Sequence, residues 1–258
     1  MGTTPRPVGV FDSGVGGVSV LKELHARLPD EYFLYFGDNA NAPYGSKTPE
    51  EVRALAENAL LMLRGKGAKA IVIACNTATA AAAAYLRAKY PDYPIIGMEP
   101  AIKPAALSGG HPRVLVMATP MTLKLEKFKD LESSLEENAD FTVLPCPGLV
   151  ERIEKGQADA PETESFLRTL LKDEIASPPD CVVLGCTHFP FVRSVIDRIF
   201  EGKARFFDGA AGTARQLERQ LAERELLTKE KGRGGVLFES SAGKREIELM
   251  KSLFERPI

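Results

Sequence analysis

Two stretches of this sequence each end a short apolar run on a cysteine, and together they narrow the folds open to it. Ala70 to Thr79 reads AIVIACNTAT, and Cys181 to Pro190 reads CVVLGCTHFP. A short, solidly apolar run with β-branched residues fits a strand buried on both faces, as in parallel sheets covered by helices. The alanine-rich, helix-prone Ala78 to Lys89 follows, so Cys75 is expected at a strand-to-helix turn. In open α/β sheets ligands gather at the carboxyl ends of strands. The N-terminus of the following helix also favours a thiolate there. Cys186 stands at the same point of its own run.

The rest of the chain fits the same layer. Val8 to Phe11 leads into the glycine-rich turn Asp12-Ser13-Gly14-Val15-Gly16-Gly17, and Val18, Leu21 and Leu24 are spaced for one helix face. That turn is a poor dinucleotide fingerprint, because Ser19 replaces the third glycine and no Walker Lys-Ser/Thr follows. Tyr32 to Phe36 reads as a strand, and Asn39 to Ser46 is too polar and turn-rich for regular structure. Thr48-Pro49-Glu50-Glu51 carries a helix-start signal, with Thr as N-cap, Pro at the first position and Glu closing a capping box. This helix should bury Val52, Leu55, Ala59 and Leu63 and stop at Gly65. The Cys75 strand, its helix and a strand at Pro94 to Gly97 complete a βαβαβαβ series.

Around Glu99 to Pro112 the pattern breaks, and a second series begins. Strands are expected at Val114 to Ala118, Phe141 to Leu144, the Cys186 run and Ala204 to Phe207. Helices are expected over 121–137 and 161–175, with a loop leading to Glu151 to Gly156. Asp12-Ser13 lie 106 residues before Ala118-Thr119, and Cys75 lies 111 before Cys186, which points to an internal duplication. The last stretch supplies a helix to Leu227, a strand at Val236 to Phe238 and a final helix, expected to return to the first half. The predicted architecture is therefore α/β: two pseudo-symmetric parallel α/β domains, each a flavodoxin-like or Rossmann-like three-layer unit. The active site is expected in the cleft between them. Residues 1–97 with 209–258 form the Cys75 domain and 98–208 the Cys186 domain.

Composition excludes some functions. Positive and negative residues nearly cancel, 33 against 35, and no basic stripe appears, so a nucleic-acid partner is not expected. No apolar run approaches a membrane span, and the polar opening Met1 to Pro7 suggests neither a signal peptide nor a myristoylation site. The four cysteines form no CxxC pair and no metal-like spacing with the three histidines, so no metal is expected. A cytoplasmic protein with reduced thiols is the expectation. Cys181 reads as core, and Cys146 sits between two prolines at a strand end.

Two equivalent thiols facing a shared cleft suit one chemistry better than others. A cysteine hydrolase needs one nucleophile beside a base and has no use for a second thiol opposite. Inversion at a carbon uses both: one thiolate removes a proton from one face and the opposite thiol returns one to the other. Asp12 is the candidate assistant on the first side and His188 on the second. A two-lobed amino-acid-binding protein would explain the duplication but not the paired thiols. A pyridoxal-phosphate enzyme is disfavoured because no lysine occupies an obvious strand-end position.

Four motifs, taken together, resemble one family. They are Phe11 to Gly17, Gly37-Asp38 with Pro43-Tyr44-Gly45-Ser46, Ala74-Cys75-Asn76-Thr77-Ala78-Thr79 and Gly185-Cys186-Thr187-His188-Phe189-Pro190. In order, and spread over most of the chain, they look like those of bacterial glutamate racemase, in the aspartate/glutamate racemase superfamily. The resemblance implies a cofactor-independent isomerase, usually a homodimer, that supplies D-glutamate for peptidoglycan and cell-wall biogenesis. It implies Cys75 acting on D-glutamate and Cys186 on L-glutamate, with Asp12, His188 and Glu154 assisting. Ser13, Pro43, Tyr44, Gly45, Ser46, Asn76, Thr77, Thr119 and Thr187 would then bind the substrate alongside these residues. An aspartate or hydantoin racemase of the same superfamily is the nearest rival.

Overall fold

The computed structural model describes residues 6–124 and 126–257. The opening residues 1–5, part of the stretch read for leader signals, lie outside the described residues. In chain order, the first elements are β1 (Val8–Asp12), α1 (Val18–Arg27), β2 (Tyr32–Gly37), α2 (Pro49–Gly65), β3 (Ala70–Ile73), α3 (Asn76–Lys89) and β4 (Ile95–Gly97). Next come α4 (Ile102–Ala106), β5 (Arg113–Ala118), α5 (Pro120–Lys124), α6 (Glu126–Ser133), β6 (Asp140–Pro145) and α7 (Leu149–Glu154). The chain continues through α8 (Pro161–Leu170), α9 (Lys172–Ile175), β7 (Cys181–Leu184), α10 (Arg193–Ile199) and β8 (Arg205–Phe207). It closes with α11 (Ala210–Glu223), β9 (Gly235–Ser240) and α12 (Lys244–Glu255).

Two compact units result, one running to Glu99 and joined by Ala210–Pro257, the other Pro100–Gly209. The first unit holds a parallel sheet of order β4-β3-β1-β2-β9. The second holds β6-β5-β7-β8, also parallel. Read in the same direction, the second order is the first without its β9 edge. Right-handed crossovers place α1 on one face and α2 with α3 on the other. The packing agrees: α2 lies against α3, while α1 lies against α11 and α12. Both faces of β1 and β3 are thereby covered, and every residue of those strands is buried. Each fully buried Val, Ile or Leu contributes about 1.5–3 kcal/mol, so these short strands are strongly held.

The strand ends repeat in detail. The Ala74 N–H donates to Phe11 O at 2.8 Å, and the Gly185 N–H to Met117 O at 2.7 Å. The Asp38 N–H donates to Asp12 O at 2.9 Å, and the Cys146 N–H to Ala118 O at 3.0 Å. Each central strand is thus flanked at its carboxyl end by the same two neighbours, and Cys146 occupies the place of Asp38.

Several elements depart from the sequence reading. The break at 99–112 contains the short helix α4, whose Ile102, Ala105 and Ala106 join the core with Val114, Val116 and Cys181. The expected loop before Gly156 is largely the helix α7, pinned by the fully buried Leu149 and Ile153. The helix expected to reach residue 137 ends at Ser133, with residue 125 outside the described set. The helix expected over 161–175 is divided at Leu171. Leu55 is only half-buried, and Ala56 and Leu60 take the core positions beside Val52, Ala59 and Leu63. The capping box forms as expected: Thr48 Oγ1 accepts from the Glu51 N–H, and Glu51 Oε2 accepts from the Thr48 N–H at 2.7 Å. A cap of this kind contributes about 1 kcal/mol.

Candidate active site

In each sheet the chain reverses its order of travel between the first and third strands, and such switch points are where open α/β sheets bind ligands. Asp12 and Ser13 leave β1 at the switch point of the first unit, and Cys75 leaves β3 beside them. Asp12 is fully buried and its carboxylate accepts the Gly14 N–H at 3.0 Å. Ser13 Oγ lies 3.4 Å from Cys75 Sγ. Cys75 caps α3, its sulfur accepting the Ala78 N–H at 3.4 Å. A fourteen-residue helix therefore points its positive end at the thiol.

The turn-rich segment 39–46 carries Tyr44 into this group. Two short 3₁₀ turns, Asn39–Asn41 and Tyr44–Ser46, flank the cis Ala42–Pro43 bond. Tyr44 is buried, its ring tilted against Phe11 with centroids 6.1 Å apart, and its hydroxyl donates to Asp38 Oδ2 at 2.7 Å. Burial, then the bond to Asp38, then the negative charge of Asp38, Cys75 and Asp12 push the phenol far above its usual value, so it stays a donor. Pro43 and Ser46 are exposed, with the Ser46 hydroxyl turned back to donate to the Pro43 carbonyl, and Gly45 is half-buried. Asn76 and Thr77 open α3 and are both buried. Among the described residues, neither end of the Asn76 side-chain amide has a hydrogen-bond partner. A buried amide with both ends open calls for a ligand or solvent to complete it.

The second unit supports its thiol differently. Cys186 follows β7, with Thr187 and His188 beside it, all three buried. His188 Nδ1 lies 3.7 Å from Cys186 Sγ, and His188 Nε2 lies 2.6 Å from Glu154 Oε1. Burial works against a charged imidazole here. The hydrogen bonds and negative charge of Cys186 and Glu154 outweigh it and hold the His188 pKa well above the ordinary histidine range. Glu154 ends α7, where the buried Leu149 and Ile153 fix its direction. Thr119 follows β5 as Ser13 follows β1, with its hydroxyl 2.9 Å from that of Thr122.

Two features lay outside the predicted site. Asp38 belongs to a recognised motif but had no assigned role; it anchors Tyr44 and also accepts from Asn41 Nδ2 at 3.0 and 3.1 Å. The available signal was an acidic residue directly after a strand end, as at Asp12. Cys146, in the matching place, donates its thiol hydrogen to Leu144 O at 3.3 Å. Burial, then the charge of Cys186, pushes its pKa up to about 12, so it remains a neutral thiol. Cys181 is fully buried within the second core, as its apolar run implied. Among the described residues, no group of three or more His, Cys, Asp or Glu is arranged to hold a metal ion. No helix among them is long and apolar enough to cross a membrane.

Known proteins share this arrangement of elements. A family model described as Asp/Glu/Hydantoin racemase matches residues 9–217. Glutamate racemase of Clostridium perfringens is 48% identical over 250 residues, covering 96% of each chain. That of Clostridium novyi is 47% identical over 252 residues, again 96% of each. The crystal structure of Escherichia coli glutamate racemase, in complex with L-glutamate and the activator UDP-MurNAc-Ala, matches with a TM-score of 0.86 at 30% identity. That match covers 98% of this chain and 95% of the other. The Thermus thermophilus glutamate racemase structure matches at 35% identity and a TM-score of 0.74, covering the same shares. With two parallel α/β units in a shared strand order and this likeness over nearly its full length, the chain belongs to the Asp/Glu/hydantoin racemase family and, within it, to the glutamate racemases.

Proposed function

We propose that the enzyme interconverts L- and D-glutamate without a cofactor by a two-base mechanism, with Cys75 and Cys186 as opposed acid and base. The observation that carries this reading is the presence of one thiol at the switch point of each sheet, each with its own polar support. Starting from D-glutamate, the Cys75 thiolate takes the α-proton, and the electron pair of the broken C–H bond stays on the α-carbon, delocalised into the carboxylate. The Cys186 thiol then gives its proton to the opposite face. L-Glutamate, a Cys75 thiol and a Cys186 thiolate result, and the reverse reaction exchanges the roles.

A thiol titrates near 8.5 while an amino-acid α-proton is far less acidic, so the intermediate needs strong electrostatic support. On the first side that support is the α3 N-terminus, the Ser13 hydroxyl and Asp12, which we place toward the substrate ammonium and the proton being moved. The open amide of Asn76 gives a donor and an acceptor for the amino acid. On the second side a charged His188, held by Glu154, steadies the Cys186 thiolate. Tyr44, Thr77, Thr119 and Thr187 complete the binding surface, with Pro43, Gly45 and Ser46 from the 39–46 segment. D-Glutamate as a peptidoglycan precursor, a cytoplasmic location and a homodimer follow from the family reading and belong to the same proposal.

The test uses purified enzyme and L-glutamate in deuterium oxide with no added cofactor, followed by circular dichroism and by NMR of the α-proton. Optical activity should decay to zero as deuterium enters the α-position, with L-aspartate unchanged. Faster turnover of aspartate would replace the substrate, and no exchange on either amino acid would overturn the reading.

A further inference from the structure

A cavity of about 370 Å³ lies in the first unit, between α2 and the carboxyl ends of β2 and β9. That size suits a small organic ligand. Its floor is apolar, formed by Phe36 of β2 and by Leu55 and Met62 of α2. Three charged groups meet it: Asp38, Glu239 and Lys66. Lys66 Nζ and Glu239 Oε1, both in its lining, are paired with each other at 2.6 Å, which leaves the Asp38 carboxylate as the third charge. Asp38 already accepts from Asn41 and Tyr44, yet a carboxylate offers about four acceptor positions, so one more donor can be taken.

We propose that this cavity is an effector site for a small organic ammonium compound, its charged end bonded to Asp38 and its apolar body resting on Phe36, Leu55 and Met62. Asp38 forms a wall of the cavity and also accepts the Tyr44 hydroxyl at 2.7 Å. Phe36 stacks on Phe11 with centroids 6.4 Å apart, and Phe11 touches the Tyr44 ring. A cation donating to Asp38 competes for the same carboxylate oxygens and weakens their hold on Tyr44. Through Tyr44 the ligand raises the KM for glutamate, a consequence that rests on the reading of Tyr44 as part of the substrate surface.

The probe is benzylammonium chloride, with ammonium chloride and benzyl alcohol as controls that separate charge from apolar body. Binding is read by NMR on the side-chain amides of Asn41 and Asn58, which line the cavity. Saturable shifts are expected with the probe and not with either control, together with a rise in KM of about fivefold. Asn58→Trp, which fills the mouth from the exposed side of α2, and Glu239→Gln, which alters the charge balance at the rim, should both abolish the KM effect. Without the probe, each variant should turn over glutamate as the parent does. Absence of saturable shifts overturns the site, as does binding that survives Asn58→Trp. Saturable binding with an unchanged KM overturns the coupling to Tyr44. The NMR readout also works on Cys75→Ala protein, so failure of this site and failure of the two-thiol mechanism are distinguishable.

Discussion

The two halves place a thiol at the same point of the same topology and then treat it differently. Beside Cys75 stand a serine hydroxyl, a backbone amide and a helix N-terminus, three supports that do not change protonation near neutral pH, with the buried Asp12 on the same side. Cys186 has a histidine backed by a glutamate, a relay that does titrate. The shared topology therefore fixes where a thiol stands, while the residues around it differ. If both thiols do one job from opposite faces, the pH dependence of the reaction should come mainly from the second half.

Removing the thiols tests that division most severely. Cys75→Ala and Cys186→Ala should each lower racemisation by about a thousandfold or more, within the upper range for losing an acid or base. Each variant should keep half of the chemistry. Cys186→Ala should wash deuterium into D-glutamate without inverting it, and Cys75→Ala should do so with L-glutamate, both read by NMR in deuterium oxide. Equal exchange of both enantiomers by either variant would break the assignment of one thiol to each face.

The histidine relay gives the next largest effect. His188→Asn should cost about a hundredfold in kcat. Because the enantiomers have equal free energy, kcat/KM must fall equally in the two directions, so the asymmetry is read from isotope effects. With α-deuterated substrate the primary effect should grow for L-glutamate, where Cys186 is proposed to remove the proton, and stay level for D-glutamate. Glu154→Gln should act more gently, because it removes only one of the groups that raise the His188 pKa. A group raised in the folded state contributes stability that is full below its unfolded value near 6.5 and is lost as pH climbs through the raised one. The charged imidazole follows the same curve, so the alkaline loss of activity should begin at lower pH in Glu154→Gln. Identical pH profiles for parent and variant would remove Glu154 from the relay.

The sequence made much of this legible, for physical reasons that also explain what it hid. Strands buried on both faces advertise themselves as short apolar runs, so the ends at Asp12, Cys75 and Cys186 were readable, as was the matched order of elements. The Thr48–Glu51 cap is local chemistry and was equally plain. Helix α7 was not, because six residues with two buried side chains are too few to show a period. Helix α4 was hidden behind Pro104 for a similar reason. The bond from Tyr44 to Asp38 depends on how a turn-rich segment folds back, which no spacing rule contains.

Two glycines sharpen the comparison at a smaller scale. A Cβ on Gly17 would stand 2.6 Å from the Asp12 Cβ and 3.0 Å from the Ala74 Cβ. Gly17→Ala should therefore shift the Asp12 carboxylate and lower kcat by about tenfold to a hundredfold, as expected for a small misplacement at the reacting groups. A Cβ on Gly185 would meet backbone, with Met117 O at 2.8 Å. Its alanine variant should instead appear in thermal unfolding, with a loss of about 1–3 kcal/mol. The opposite pattern, stability lost at Gly17 and activity alone at Gly185, would show that the two strand ends are not built as described.

The smallest expected effect separates Asp38 from its counterpart Cys146. Both donate their backbone N–H to the last residue of the central strand, so backbone geometry is common to them and only the side chains differ. Asp38 holds Tyr44 through a charged acceptor, and Asp38→Asn weakens that hold while keeping the shape. A severalfold rise in KM should follow, with kcat little changed, since a hydrogen bond to a charged group contributes about 1.5–3 kcal/mol and only part of it is lost. Cys146 bonds its own strand at Leu144 O and stays neutral beside Cys186. Cys146→Ser preserves both properties and should leave kcat and KM within about twofold, within the range of an isosteric change that keeps its hydrogen bond. Cys146→Asp is the informative contrast. It would restore the residue found in the first half but set a carboxylate beside Cys186, where like charge disfavours the thiolate. Activity should then fall more at neutral pH than in Cys146→Ser, and recover as the new carboxyl is protonated. If Cys146→Asp is as active as Cys146→Ser across pH, the neutrality of this position has no bearing on Cys186, and the divergence between the halves ends at the His188 relay.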